Sequence, residues 1–282
     1  MRSIACWVVW FLLLMIGLPA MATDYAWLSG ELAEIEHVTL EARFEVPEGF
    51  QRVEVKAGSF GAFLRQLPIR RDRTHVLSYK GARLSSPSAA VVLIDVGDRD
   101  LQQCADALIR LHAEFLWATG KKEQIAYHFT SGDRSAWSDW QRGERFRVKG
   151  ARVERVRVGA GANGHKAFRA YLDHVFMYAG TRSLGRDTVV VKLEDIQPGD
   201  LFNVAGSPGH AVMVLDVAVG PAGERVALIG QSYMPAQDFH VVKSSGERVV
   251  KGVWFLLPTA EHPTIKTPSW AAYGPGDLRR FR

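Results

Sequence analysis

Two periods of hydrophobicity run along this chain. Leu101, Cys104, Leu108, Leu111 and Phe115 recur at three- and four-residue steps, which predicts one amphipathic helix, with Asp98 or Asp100 to cap it and Gly120 to end it. Asp106, Arg110 and Glu114 follow each other at four-residue steps on another face and can pair. A second amphipathic helix is predicted through Phe168, Leu172, Val175, Phe176 and Ala179. A shorter one starts at Ser59 and stops before Pro68, and residues 24–40 also read as helical.

Elsewhere the pattern is that of strands. Ala89 to Val96 is a short, mostly aliphatic run, expected as a buried strand. QIAYHFTSG reads as another, and in ARVERVRVG Val153, Val156 and Val158 alternate with polar residues, mostly arginines. From Asp200 onward the segments DLFNVAG, HAVMVLDVAV, RVALIGQSYM, DFHVV and VKGVWFLL follow in succession. Helices first and then a run of antiparallel strands give an α+β fold.

The N-terminus changes the picture of where this fold works. Arg2, an apolar run from Cys6 to Leu18 and the small-x-small triplet Ala20-Met21-Ala22 have the layout of a cleaved signal peptide, with the cut after Ala22. The chain is therefore expected to be periplasmic or secreted. The alternative is an uncleaved anchor, for which the apolar run is short. The chain has 282 residues, so 260 remain after the cut, enough for one large domain or two small ones. Its formal charge of +5 is spread over scattered residues, with short clusters at Arg70-Arg71 and Arg279-Arg280. Peripheral contact with an anionic envelope surface is compatible with this charge, and no nucleic-acid motif is present.

Of the two cysteines, Cys6 leaves with the signal and Cys104 stays. A single thiol in an oxidising compartment is buried and inert, paired with another chain, or reactive. Cys104 falls in the first turn of the predicted helix, on its inward face. A helix N-terminus favours thiolate. Downstream, Ser207-Pro208-Gly209 turns the chain and His210 opens a strand, while Gln231 lies near the end of the next. A thiol, an imidazole to take its proton and a polar group to hold the imidazole are the parts of a thiol hydrolase. Asp200 is expected to close a strand-entry turn. The backbone N–H of Cys104 is the expected oxyanion donor; Gln102, Gln103 and Tyr79 are further candidates.

A cysteine at a helix start, followed by GDLF, GHAVMVLDVA and ALIGQS, resembles the papain-like fold of NlpC-type bacterial cell-wall cysteine peptidases. The resemblance implies Cys104 as nucleophile, His210 as base and Gln231 as the orienting residue. The chain departs from that family in having Gln103-Cys104-Ala105 around the nucleophile, Gln231 in third place, and about 105 residues between cysteine and histidine. Nearly the whole mature chain also resembles a family of secreted bacterial proteins of unknown function, through RDLQQCADALIRLHAEFLW, PGHAVMVLDVA and QSYMPAQDFHV.

The expected division is a signal peptide at 1–22, an N-terminal α/β extension at 23–88, a papain-like core at 89–260 with an insertion at 121–190, and a tail at 261–282. The expected activity is hydrolysis of an amide in cell-wall peptide or another envelope component, with no cofactor and no metal. His240 and Asp216 could join His210 at zinc, but the spacing matches no compact metal motif. Ser59 and Ser183 lack a nucleophile-elbow context. A non-catalytic module binding glycan or peptide in the same cleft is the alternative. In either case Tyr233, Gln237, Trp137 and Trp140 are the candidate substrate contacts, the indoles by stacking on sugar rings.

Overall fold

The computed structural model describes residues 25–150, 152–159 and 161–282. The expected signal peptide lies outside the described residues. No helix among the described residues is long and apolar enough to cross a membrane.

A ten-stranded sheet organises the fold. Its strands are β1 (Gln51–Arg52), β2 (Ser88–Val91), β3 (Thr188–Val190), β4 (Leu201–Val204), β5 (His210–Val219), β6 (Arg225–Gln231), β7 (His240–Val242), β8 (Val249–Val250), β9 (Trp254–Leu256) and β10 (Leu278–Phe281). The order along the main path is β3-β10-β4-β5-β6-β7-β2, every pairing is antiparallel, and β1, β8 and β9 join from the side. Four helices matter below: α1 (Phe60–Arg65), α2 (Cys104–Ala118), α3 (His165–Phe176) and α4 (Thr181–Asp187).

The chain is α+β, with the sheet covered on both faces. On β5, Ala211, Met213 and Leu215 join the larger core with α2, while Val212 and Val214 join a second core with Phe202, Tyr273 and Leu278. Burial on both sides is why HAVMVLDVAV reads as an almost continuous apolar run. Its one charged residue, Asp216, sits where a bulge shifts the register against β6. There Arg52 and Arg65 both bind its fully buried carboxylate, at 2.7 and 2.9 Å. β1 and α1 are thus tied to the central strand by charge as well as by packing.

These contacts redraw the expected boundaries. Within the 23–88 segment, β1 pairs with β5 and Trp27 lies buried with its indole N–H on the Leu93 carbonyl. Within 261–282, β10 lies between β3 and β4 in the interior of the sheet. Neither end is an appendage. Residues 25–39 hold only a 3-10 turn at Gly30–Glu34 and a strand at His37–Thr39 that pairs with Pro68–Arg70, in place of the helix expected over 24–40. Cys104–Ala118 forms where its periodicity puts it, and the alternating run gives the strand Arg152–Arg157, paired with Glu144–Lys149. The second amphipathic stretch breaks into α3 and α4 at Gly180.

Candidate active site

Cys104 is the first residue of α2. Gln103 precedes it, and the Gln103 N–H donates to Asp106 Oδ2 at 3.2 Å, which closes the helix start. Gln102 is anchored on both sides, its amide donating to the Asp95 carbonyl and accepting from Arg110. Arg110, fully buried, also binds Asp95 and Glu114. The predicted Asp106–Arg110 pairing is absent because Asp106 turns back to cap the helix. This scaffold holds the first turn rigidly against β5.

At that end of the sheet β6 runs out at Gln231, and Ser232 reaches across to the Gln102 carbonyl. The backbone N–H of Ala211 is left facing the Cys104 sulfur, together with the N–H groups of Ala105 and Cys104 itself. Burial nevertheless raises the thiol pKa above its ordinary value; the Ala211 N–H opposes that rise and the Asp106 carboxylate adds to it. The resting group is a neutral thiol, and the helix N-terminus does not by itself produce the expected thiolate.

His210 precedes Ala211 and is completely buried at the start of β5. Its surroundings define its tautomer. His240 Nδ1 lies 3.0 Å from the Asp238 carbonyl, which can only accept, so Nδ1 carries the hydrogen and Nε2 is an acceptor. The Gln231 amide nitrogen donates to that Nε2 at 3.4 Å and to Ser269 Oγ at 2.7 Å. Gln231 Oε1 therefore faces His210 Nε2, at 3.0 Å, and accepts its hydrogen. What remains is a lone pair on His210 Nδ1, a buried nitrogen with no hydrogen-bond partner among the described residues. The thiol makes no hydrogen bond to it in this structure, and the strand N–H that faces the sulfur belongs to the adjacent residue, Ala211.

Burial lowers the His210 pKa, against a smaller upward effect of the Gln231 bond. Burial likewise lowers His240, to about 4. Both rings are neutral at pH 7. Aromatic rings enclose the His210 imidazole: Tyr233 meets it edge-on at 4.9 Å, and Trp270 lies tilted at 5.6 Å.

Outside this dry corner, Cys104 lines an open cleft of about 710 Å³. Asp106, Met177, Arg182 and the Gly206–Gly209 turn complete much of its wall. Gly209 has no room for a side chain, since a Cβ there would come 2.5 Å from Thr181 Oγ1 and 2.7 Å from the Gly206 nitrogen. The turn is thereby pressed against α4, at the mouth of the cleft.

Residues 40–280 match the family model described as a domain of unknown function (4846). The chain belongs to that family. The DUF4846 match spans Cys104, His210, Gln231 and His240, and it reaches into β10. No curated protein and no solved structure matches the chain.

Several residues singled out by sequence do other work in this DUF4846 chain. Trp137 is buried among Trp117, Phe168 and Tyr171, so it cannot stack on a sugar. Trp140 is half-buried, with the Arg145 guanidinium 3.4 Å from its ring centroid, and it does not line the Cys104 cleft. Gln237 is buried and donates to Ser86 Oγ; it holds the 232–237 loop closed, without reaching substrate. Gln102 is committed to its scaffold, and Tyr79 lies under Lys80 outside the cleft lining. Asp216 is held by its two arginines, away from His240. Asp200 closes a turn with the Gln197 N–H and binds Arg280, as a strand-entry residue should. Tyr233, expected at substrate, packs on the His210 ring.

The sequence singles out His240 only as a possible zinc partner of His210, and it does not single out Ser269 or Trp270. The spacing of His240 on the strand after Gln231 was a signal for its place in the site. Nothing local points to Ser269 or Trp270, because they arrive from the C-terminal segment.

Proposed function

We propose that this chain is an exported thiol hydrolase with a papain-like arrangement, acting on an amide bond in an envelope peptide. The observation that carries the reading is the pinned imidazole. Three hydrogen-bonded side chains leave a single lone pair on Nδ1 of His210, and the next residue of the strand, Ala211, turns its N–H to the Cys104 sulfur.

Because thiol and imidazole both rest neutral, the proton moves only as the reaction proceeds. The S–H donates to Nδ1 as substrate binds; catalytic hydrogen bonds are commonly long before it does. The sulfur attacks the amide carbonyl carbon as Nδ1 takes its proton. Negative charge on the carbonyl oxygen meets the Cys104 N–H at the positive end of α2. The imidazolium then returns its proton to the leaving amine. Water, deprotonated by the same nitrogen, cleaves the thioester and restores the thiol. Gln231 keeps Nε2 protonated throughout, so each transfer uses Nδ1.

Envelope as the location and amide as the bond come from the signal peptide and the peptidase resemblance. The loss of Trp137 and Trp140 from the cleft removes the contacts on which glycan binding by a non-catalytic module would depend. The test is incubation with peptide-bearing cell-wall fragments and mass spectrometry for new amine termini. Wild type should release them. Cys104→Ala should release none while keeping its unfolding midpoint. Release by the folded variant would overturn the assignment.

A further inference from the structure

A strip of the surface carries four arginines that make no ion pair among the described residues. α4 runs from the Cys104 cleft to a second cavity, of about 190 Å³, near the C-terminus. Arg182, in its first turn, lines the cleft. Arg186, one turn on, lines the second cavity together with Arg134 and Arg282. Residues four apart share a helix face, so Arg182 and Arg186 join the two cavities into one track.

All four side chains are exposed, and none makes an ion pair among the described residues. The nearby carboxylates each have a hydrogen-bond partner, and two of them, Asp100 and Asp106, line the Cys104 cleft together with Arg182. Asp187 is buried and lies 2.5 Å from the His128 ring. Asp106 caps α2, and Asp100 accepts from Gln103 and from the Ala236 N–H. Arg134 acts on Asp187 only from beyond ion-pair distance. By contrast, Arg169 is matched with Asp95 and Arg155 with Glu144.

We propose that Arg182, Arg186, Arg134 and Arg282 form a track for a carboxylate-bearing peptide chain and guide it into the Cys104 cleft. This rests on the hydrolase reading of that cleft and adds the substrate's charge to it. A guanidinium presents paired donors that match a carboxylate, and a row of them recognises an extended chain of such groups. A peptide fits the setting better than a membrane. The cations line two concave cavities on either side of a helix, which a flat headgroup layer cannot enter, and the track ends beside the thiol.

The test measures binding, so it stands apart from turnover. Full-length Cys104→Ala protein is titrated with a fluorescein-labelled octaglutamate, with octaglutamine as the neutral match. Octaglutamate should bind at least tenfold more tightly, and the difference should shrink as salt rises from about 0.05 to 0.2 M. Adding Arg182→Gln and Arg186→Gln should weaken octaglutamate binding about fivefold to tenfold, the scale of two exposed carboxylate contacts. Arg147→Gln with Arg152→Gln is the control. It removes the same charge from two exposed arginines on the separate hairpin, which also lack ion pairs, and should change binding less than twofold.

Equal weakening by both pairs would mean unspecific attraction and would overturn the track. So would equal affinity for octaglutamine, or binding to phosphatidylglycerol vesicles in place of octaglutamate. If octaglutamate binds as predicted but wild type cleaves no envelope peptide, the hydrolase reading fails and the track remains.

Discussion

Gln231→Ala is the substitution that exposes the logic of the site. It removes an acceptor from His210 Nε2–H and a donor from both His240 Nε2 and Ser269 Oγ. His210 and His240 are fully buried, so water cannot replace either partner without rearrangement. One unsatisfied buried donor costs about 1–3 kcal/mol, and the truncated side chain loses packing as well. A total near 3 kcal/mol follows, or about two decades in the folding constant. The functional effect is separate. Without Oε1 the imidazole has no reason to hold its hydrogen on Nε2, and Nδ1 gains the hydrogen in a growing share of molecules. Urea unfolding reads the first effect, and nitrogen-15 NMR of the His210 ring at pH 7 reads the second. Wild type should show the Nε2–H form, Gln231→Glu should keep it, and Gln231→Ala should lose it. A wild-type ring protonated on Nδ1, or an alanine variant unchanged in both stability and tautomer, would refute the reasoning.

Three further outcomes follow from the buried groups. His240 has an unfolded pKa near 6.5 and a folded one of about 4, so its stabilising contribution is present above pH 6.5 and is lost as pH falls toward 4. Between pH 7 and pH 5 this amounts to about 2 kcal/mol, and His240→Gln should reduce the measured pH dependence of urea unfolding by that amount. Asp216→Ala leaves two guanidinium groups at the central strand without a counter-charge and should cost about 3–5 kcal/mol by the same assay. Trp137→Ala should also cost about 3–5 kcal/mol, while octaglutamate affinity measured on folded protein stays unchanged; a loss of affinity would return Trp137 to the cleft.

How far the sequence could be read depended on whether a feature was local. The three-four pattern around Cys104 specifies α2 because helix periodicity is a property of neighbours, and GHAVMVLDVAV specifies β5 because a strand buried on both faces is apolar at nearly every position. His210 and Gln231 were legible as polar residues standing at the ends of such strands. The parts that escaped are long-range. Asp216 gives no hint of Arg52 and Arg65, more than 150 residues away. β10 looks like a tail until its pairing with β3 and β4 is seen. Ser269 and Trp270 complete the pocket around His210 only once that segment has folded back. Trp137 misled because an aromatic cluster reads alike whether it faces solvent or Phe168 and Tyr171. The thiolate expectation failed for a related reason: helix position can be read locally, whereas the burial that opposes it cannot.

The central claim is that His210 serves the Cys104 sulfur. The most direct measurement is the rate at which a peptidyl epoxide alkylates Cys104, followed by intact-protein mass at pH 7. Ring opening joins sulfur to an epoxide carbon and needs a proton on the departing oxygen, which the imidazole supplies after taking it from the thiol. Wild type should gain one adduct, Cys104→Ala none, and folded His210→Gln should react at least a hundredfold more slowly. An adduct forming at the wild-type rate in His210→Gln, or no adduct on folded wild type, would contradict the account.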